Sequence, residues 1–217
     1  MIQTTEYITF FENKEQTEEQ KELSILQDSI NNPEQNILSE KEYQQYLREP
    51  IRKLETPIYQ QVMLRRINEL RKKEKLPPLT FDEKLTEVAN NFWEELATSN
   101  WEYNPNPHKD KQGRYVKGRI RDAGLLNDYV MEYDKNGLWA LYENIITWWY
   151  LSVEDILSMV MNSPGHKRAL MSNTDIVGFS HTNPVVQVFA KKNPNYKEPP
   201  LTDTTSKTND TIKKSDQ

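Results

Sequence analysis

Leu85, Val88, Ala89, Phe92 and Leu96 recur at i, i+3, i+4, i+7 and i+11, a spacing that predicts a helix with one continuous apolar stripe. Such a stripe must be covered by another layer, so this segment commits the chain to a layered domain with a core. A second helix is expected from about Thr56 to Glu74, with Pro57 near its start and Tyr59, Met63, Ile67 and Leu70 on one face. Leu76-Pro77-Pro78-Leu79 breaks it, and Thr80-Phe81-Asp82-Glu83 reads as a capping box that opens the amphipathic helix.

Further along, the pattern changes. Leu141 to Thr147 reads as a strand. Asp175 to His181 and Val185 to Lys191 read as an antiparallel hairpin joined by Thr182-Asn183-Pro184. Ser152 and Asp155 cap a helix that buries Val153, Ile156, Leu157 and Val160. A short helix follows, with Ser163 capping it through its hydroxyl and Pro164 at the first helical position. A polar loop runs from Ser99 to Tyr115, and Gly118 to Ala123 forms one turn. Helices first and paired strands last favour an α+β fold over a parallel βαβ sheet.

The hydrophobic fraction is 35% and the mean hydropathy −0.89, which implies one core with polar arms. All six glycines lie between Gly113 and Gly178. The expected division is therefore an acidic extension over 1–52, a domain over 53–192 and a disordered tail over 193–217. In the extension, Leu23, Leu26 and Ile30 recur at helical spacing, and Ser39 with Glu42 forms a capping box before Tyr43, Tyr46 and Leu47. It holds too few apolar residues to fold alone, so its helices are expected to pack on the domain.

The net charge is −5, with 11 acids and 4 bases in the first fifty residues. A nucleic-acid-binding surface needs a basic footprint, and none is present. With no cysteine, disulfides, thiolate metal sites and cysteine nucleophiles are excluded. No apolar run approaches the roughly 18 residues of a membrane span. Met1 to Gln20 lacks the basic and apolar regions of a secretory signal. Either the protein is cytoplasmic, or its signal or lipid-anchor segment has been replaced by a start methionine.

Three histidines and one carboxylate carry the chemical interest. His166, in Asn162-Ser163-Pro164-Gly165-His166-Lys167-Arg168, falls in the first turn of the short helix, where the helix dipole favours a neutral imidazole. It is either a ligand in a polar cavity or a residue that caps nearby backbone. His108, in Asn106-Pro107-His108-Lys109-Asp110, is either a solvated loop residue or a site residue, and His181, at a strand end, reads as a surface residue. Glu143 lies among Trp139, Leu141, Tyr142, Ile145, Ile146, Trp148 and Trp149, so it must point outward or be paired, with Asn144 facing the opposite way. The aromatic run from Tyr129 to Tyr150 reads as core packing. His108, Glu143 and His166 could form a two-histidine, one-glutamate zinc site with an open position, if the fold brings them together.

Taken in order, several segments resemble the CAP superfamily (SCP-like domains of cysteine-rich secretory and pathogenesis-related proteins) in its bacterial form. They are Arg66-Ile67-Asn68-Glu69-Leu70-Arg71, Leu76 to Leu85, Tyr142-Glu143-Asn144-Ile145, Asn162 to Arg168, Val177-Gly178-Phe179 and Val186-Gln187-Val188-Phe189. The resemblance runs from about Met63 to Ala190. It implies a three-layer α-β-α sandwich around a small antiparallel sheet, with a cavity that in many members is lined by two histidines and two glutamates and in some binds zinc or another divalent ion. His108, Glu143 and His166 match three of the four positions. The fourth falls near Ser163, so that carboxylate is missing, and Tyr142 beside Glu143 replaces the usual glycine and would reshape the cavity. Lys109 stands where the family usually has serine or threonine, and Val160 where it has tryptophan.

The expected function is a non-enzymatic binding or interaction module, secreted or tethered to the cell surface. Its ligand would be a lipid, a small molecule or a protein. The alternatives are a zinc-dependent hydrolase using His108, His166 and Glu143, and a structural or adhesive surface protein with a vestigial cavity.

Overall fold

The computed structural model describes residues 38–98, 106–130, 141–146, 151–181 and 184–195. In chain order the elements are α1 (Glu40–Tyr46), a 3-10 turn (Ile51–Lys53), α2 (Thr56–Lys73), β1 (Thr80–Phe81) and α3 (Glu83–Thr98). They continue with α4 (Val116–Asp122), β2 (Leu141–Ile146), α5 (Val153–Asn162), α6 (Pro164–Leu170), β3 (Ile176–Phe179) and β4 (Val185–Ala190). No helix among the described residues is long and apolar enough to cross a membrane.

The sheet order is β1-β3-β4-β2. The hairpin of β3 and β4 is antiparallel as expected, with Val177 opposite Phe189. β2 adds antiparallel to β4 and places Glu143 opposite Val188. β1 was not anticipated. It pairs parallel to β3, Thr80 beside Ile176, and is only two residues long.

Strand alternation sorts the core into two layers. Ile146, Val177, Phe179, Val185 and Phe189 face Tyr59, Met63 and Ile67 of α2, Ile156 and Val160 of α5 and Leu170 of α6. Leu141, Ile145, Ile176, Val186, Val188 and Ala190 face Leu85, Val88, Phe92 and Leu96 of α3 and Ile120 of α4. The α-β-α sandwich follows, because each helical stripe covers one face of the sheet. α3 lies so close to β3 that a Cβ on Gly178 would fall 2.3 Å from the Thr86 backbone nitrogen. Tyr43, Leu47 and Ile51 join the α2 layer, so α1 is packed on the domain. The 23–30 pattern, residues 196–217 and most of the aromatic run lie outside the described residues.

The capping boxes expected at Ser39/Glu42 and Ser152/Asp155 both form. The one expected at Thr80–Glu83 does not. Thr80 donates its N–H to the Asp175 carbonyl at 2.9 Å as part of β1, and Asp82 caps α3 instead, its Oδ1 accepting from Leu85 N at 2.9 Å. Ser163 stands at the start of α6, but its hydroxyl makes no capping bond. It also ends α5, and its ψ is 114° where the capping serines Ser39 and Ser152 have 158° and 169°. As the residue shared by both helices it takes a backbone conformation unlike that of the two capping serines. The expected turn at 118–123 is a full short helix, α4.

Candidate functional site

The loop before α4 is folded by its own short polar side chains, as Asx-type turns are. Asn106 Oδ1 accepts from His108 N at 3.2 Å. The buried Asp110 accepts from Gln112 N, Arg114 N and Arg114 Nε at 3.0, 2.7 and 2.6 Å. Gly113 takes a positive φ of 76° to close the turn. These bonds hold His108 over β2, an edge strand of the sheet.

Glu143 does not point to solvent. Its side chain is 4% exposed and is held on both sides. Oε1 lies 3.0 Å from His108 Nδ1, and Oε2 accepts from Arg119 Nη2. A carboxylate can only accept here, so His108 donates from Nδ1 and keeps Nε2 as an acceptor when neutral. The His108 side chain is 38% exposed, so the dyad has a buried carboxylate end and an accessible imidazole end.

Arg119 is fixed from several directions. Nη1 donates to the carbonyls of His108 and Arg114, both at 3.1 Å. The guanidinium lies 3.5 Å above the Phe92 ring, a favourable cation–π geometry. Phe92 and Arg119 also border a hollow of about 260 Å³ between α3 and α4, lined further by Asn91, Glu95, Arg114 and Asp122.

His166 occupies the first turn of α6 and is partly buried. Burial, and then the charge of His108, hold its imidazolium below the ordinary histidine range. Both burial and the neighbouring histidine favour the neutral ring. Asn144, on the opposite face of β2 from Glu143, donates Nδ2 to the His166 carbonyl and to Gln187 Oε1, both at 3.3 Å. This anchors α6 to the edge strand. Tyr142 packs against the α2 layer.

The fold thus brings His108 and Glu143 into direct contact and puts His166 within electrostatic reach of His108. A divalent ion needs free lone pairs on its ligands. Both oxygens of Glu143 are engaged, one of them by a cation, so the accessible lone pair of the dyad is that of His108 Nε2. Among the described residues, no group of three histidine, aspartate or glutamate side chains is placed to hold a metal ion.

Sequence reasoning missed Arg119. Nothing in Lys117-Gly118-Arg119-Ile120-Arg121 separates it from Arg121. It also missed Arg71, which is fully buried and donates to the carbonyls of Pro77, Leu170, Ser172 and Thr174 at 2.8–3.1 Å. Arg71 thereby ties the end of α6 to α2. His181 is not the surface residue expected. Its Nδ1 is 2.8 Å from Thr56 Oγ1 and its ring centroid 5.0 Å from that of Tyr59.

Residues 64–183, more than half of the chain, match the family described as CAP, the cysteine-rich secretory protein family. Among solved structures, an outer surface protein from Borrelia burgdorferi is similar at 22% identity and a TM-score of 0.51, over 64% of this chain and 97% of that one. An extracellular protein containing a SCP domain from Bacillus anthracis is similar at 19% identity and a TM-score of 0.47, over 64% of this chain and 44% of that one. None of the curated proteins matches the chain.

Proposed function

This chain belongs to the CAP, or cysteine-rich secretory protein, family, and on that footing we propose that it is a non-enzymatic binding module displayed outside the cell. One observation carries the reading: both oxygens of the carboxylate that touches His108 are engaged, by an imidazole and by a guanidinium. A general base must reach the proton it takes, and this carboxylate is buried and held between two fixed donors. Glu143 instead serves as a buried counter-ion that orients His108.

What remains open to a ligand is the imidazole end of the dyad. Nε2 of His108 accepts a hydrogen bond, so the site suits a lipid, small molecule or protein group that donates one, such as a hydroxyl or an ammonium. The setting outside the cell is supported by the similarly folded Borrelia burgdorferi protein, an outer surface protein by name. Protease treatment of intact cells tests it: the chain should be cut while a cytoplasmic marker survives.

Hydrolysis assays on ester and peptide panels test the chemistry. No turnover above that of a His108→Ala/His166→Ala variant is expected. Turnover that disappears in that variant would overturn the reading in favour of a hydrolase.

A further inference from the structure

We propose, building on the reading of this site as a binding rather than a catalytic one, that Arg119 is its resident cation. The guanidinium takes the place a divalent metal would occupy, and the dyad assembles without one. The Nε2 lone pair of His108 is open, so a metal held jointly by His108 and Glu143 would turn on whether a carboxylate oxygen is also available. Oε2 of Glu143 is bonded to Arg119 and Oε1 to His108 Nδ1. A doubly charged ion placed at the buried carboxylate would meet the fixed positive charge of Arg119, and that repulsion is strong where water is excluded.

Arg119 is not a mobile surface residue that could swing aside. Its side chain is 8% exposed, its face covers the Phe92 ring and Nη1 is held by two carbonyls. One of those carbonyls belongs to His108 itself. The same guanidinium therefore fixes the His108 loop through the backbone and its ring through Glu143. This double grip is what a metal would otherwise supply: charge balance for the carboxylate and a set orientation for the imidazole. A planar guanidinium with several donors suits the task better than a lysine ammonium would.

Calorimetric titration with zinc alone tests the assignment. Wild-type protein should give no heat that depends on His108. Arg119→Met frees the carboxylate, and it should gain a zinc-binding heat that is lost again in Arg119→Met/His108→Ala. Zinc binding by the wild type that His108→Ala abolishes would overturn the proposal, as would a folded Arg119→Met variant that gains nothing.

Should Arg119→Met fail to fold, thermal melting of Glu143→Gln in excess EDTA decides. With Arg119 as the resident cation, the substitution leaves a buried guanidinium without its counter-charge, and Tm falls. Were Arg119 not the counter-charge of Glu143, the substitution would leave no buried charge unpaired, and Tm would stay level or rise. A level or raised Tm overturns the proposal. Zinc heat in the wild type would defeat Arg119's role alone, whereas His166-dependent hydrolysis would defeat the non-catalytic reading alone.

Discussion

Replacing Gly178 by alanine should destabilise this domain more than almost any other single-methyl change. Gly178 lies in β3 directly beneath the first turn of α3. An added Cβ would be 2.3 Å from the Thr86 backbone nitrogen, 2.4 Å from the Leu85 carbonyl carbon and 2.6 Å from Leu85 Cβ. Ordinary contact begins at 3.4 Å, so α3 must retreat by about 1.1 Å, the difference between 3.4 and 2.3. Two of the three obstructing atoms are backbone, so no rotamer change relieves the clash. A retreat would loosen Leu85, Val88 and Phe92 from the sheet, and Phe92 carries the Arg119 guanidinium. Overpacking costs about 1–3 kcal/mol, and a clash against backbone belongs at the upper end of that range. At about 2–4 °C per kcal/mol for a domain of this size, Tm should fall by roughly 6–12 °C. Gly165→Ala is the internal control. A Cβ there meets nothing within 4 Å, and alanine in a helix is favoured over glycine by about 0.5–1 kcal/mol. Differential scanning calorimetry of both variants reads the contrast. A Gly178→Ala Tm within about 2 °C of wild type would refute the packing argument.

Arg71→Met should cost at least about 3 kcal/mol in urea unfolding, because four carbonyls, three of them buried, lose a charged donor; a loss below about 1 kcal/mol would contradict the clamp. Ser152→Ala should lose about 1 kcal/mol by the same measurement, whereas Ser163→Ala should stay near zero, since only the first hydroxyl caps a helix. Stability should also fall in mild acid. Burial lowers the folded-state pKa of His181 and, with the charge of His108, that of His166. The unfolded chain therefore binds more protons once the pH drops below about 6.5, and stability rises with pH through that window. Melting curves between about pH 7 and pH 5.5 should show the loss, and a His166→Gln/His181→Gln variant should flatten it.

Elements set by local rules were legible in the sequence. The 3.6-residue stripes of α2, α3 and α5, the boxes at Ser39 and Ser152 and the β3–β4 hairpin each depend on residues a few positions apart. β1 was not legible because its two residues acquire strand character only by pairing with β3, almost a hundred positions away. That same pairing drew Thr80 out of the cap that its local pattern suggested and left Asp82 to serve. Glu143 shows the limit most clearly. Its apolar neighbours required it to be outward-facing or paired, and they could not say which. Arg119 and Arg121 are two residues apart in one short helix, yet their side chains are 8% and 60% exposed.

The order of apolar periods along the chain was enough to determine amphipathic helices followed by paired strands, an α+β class, because burying a stripe or a strand face is a local demand with few solutions; a helical layer on each face of the sheet was implied only by the CAP resemblance. Which arginine meets Glu143, and whether that carboxylate is free or neutralised, was decided only when α4, the His108 loop and β2 converged. Side-chain charge acts through space at a few ångströms, and sequence separation does not encode that distance.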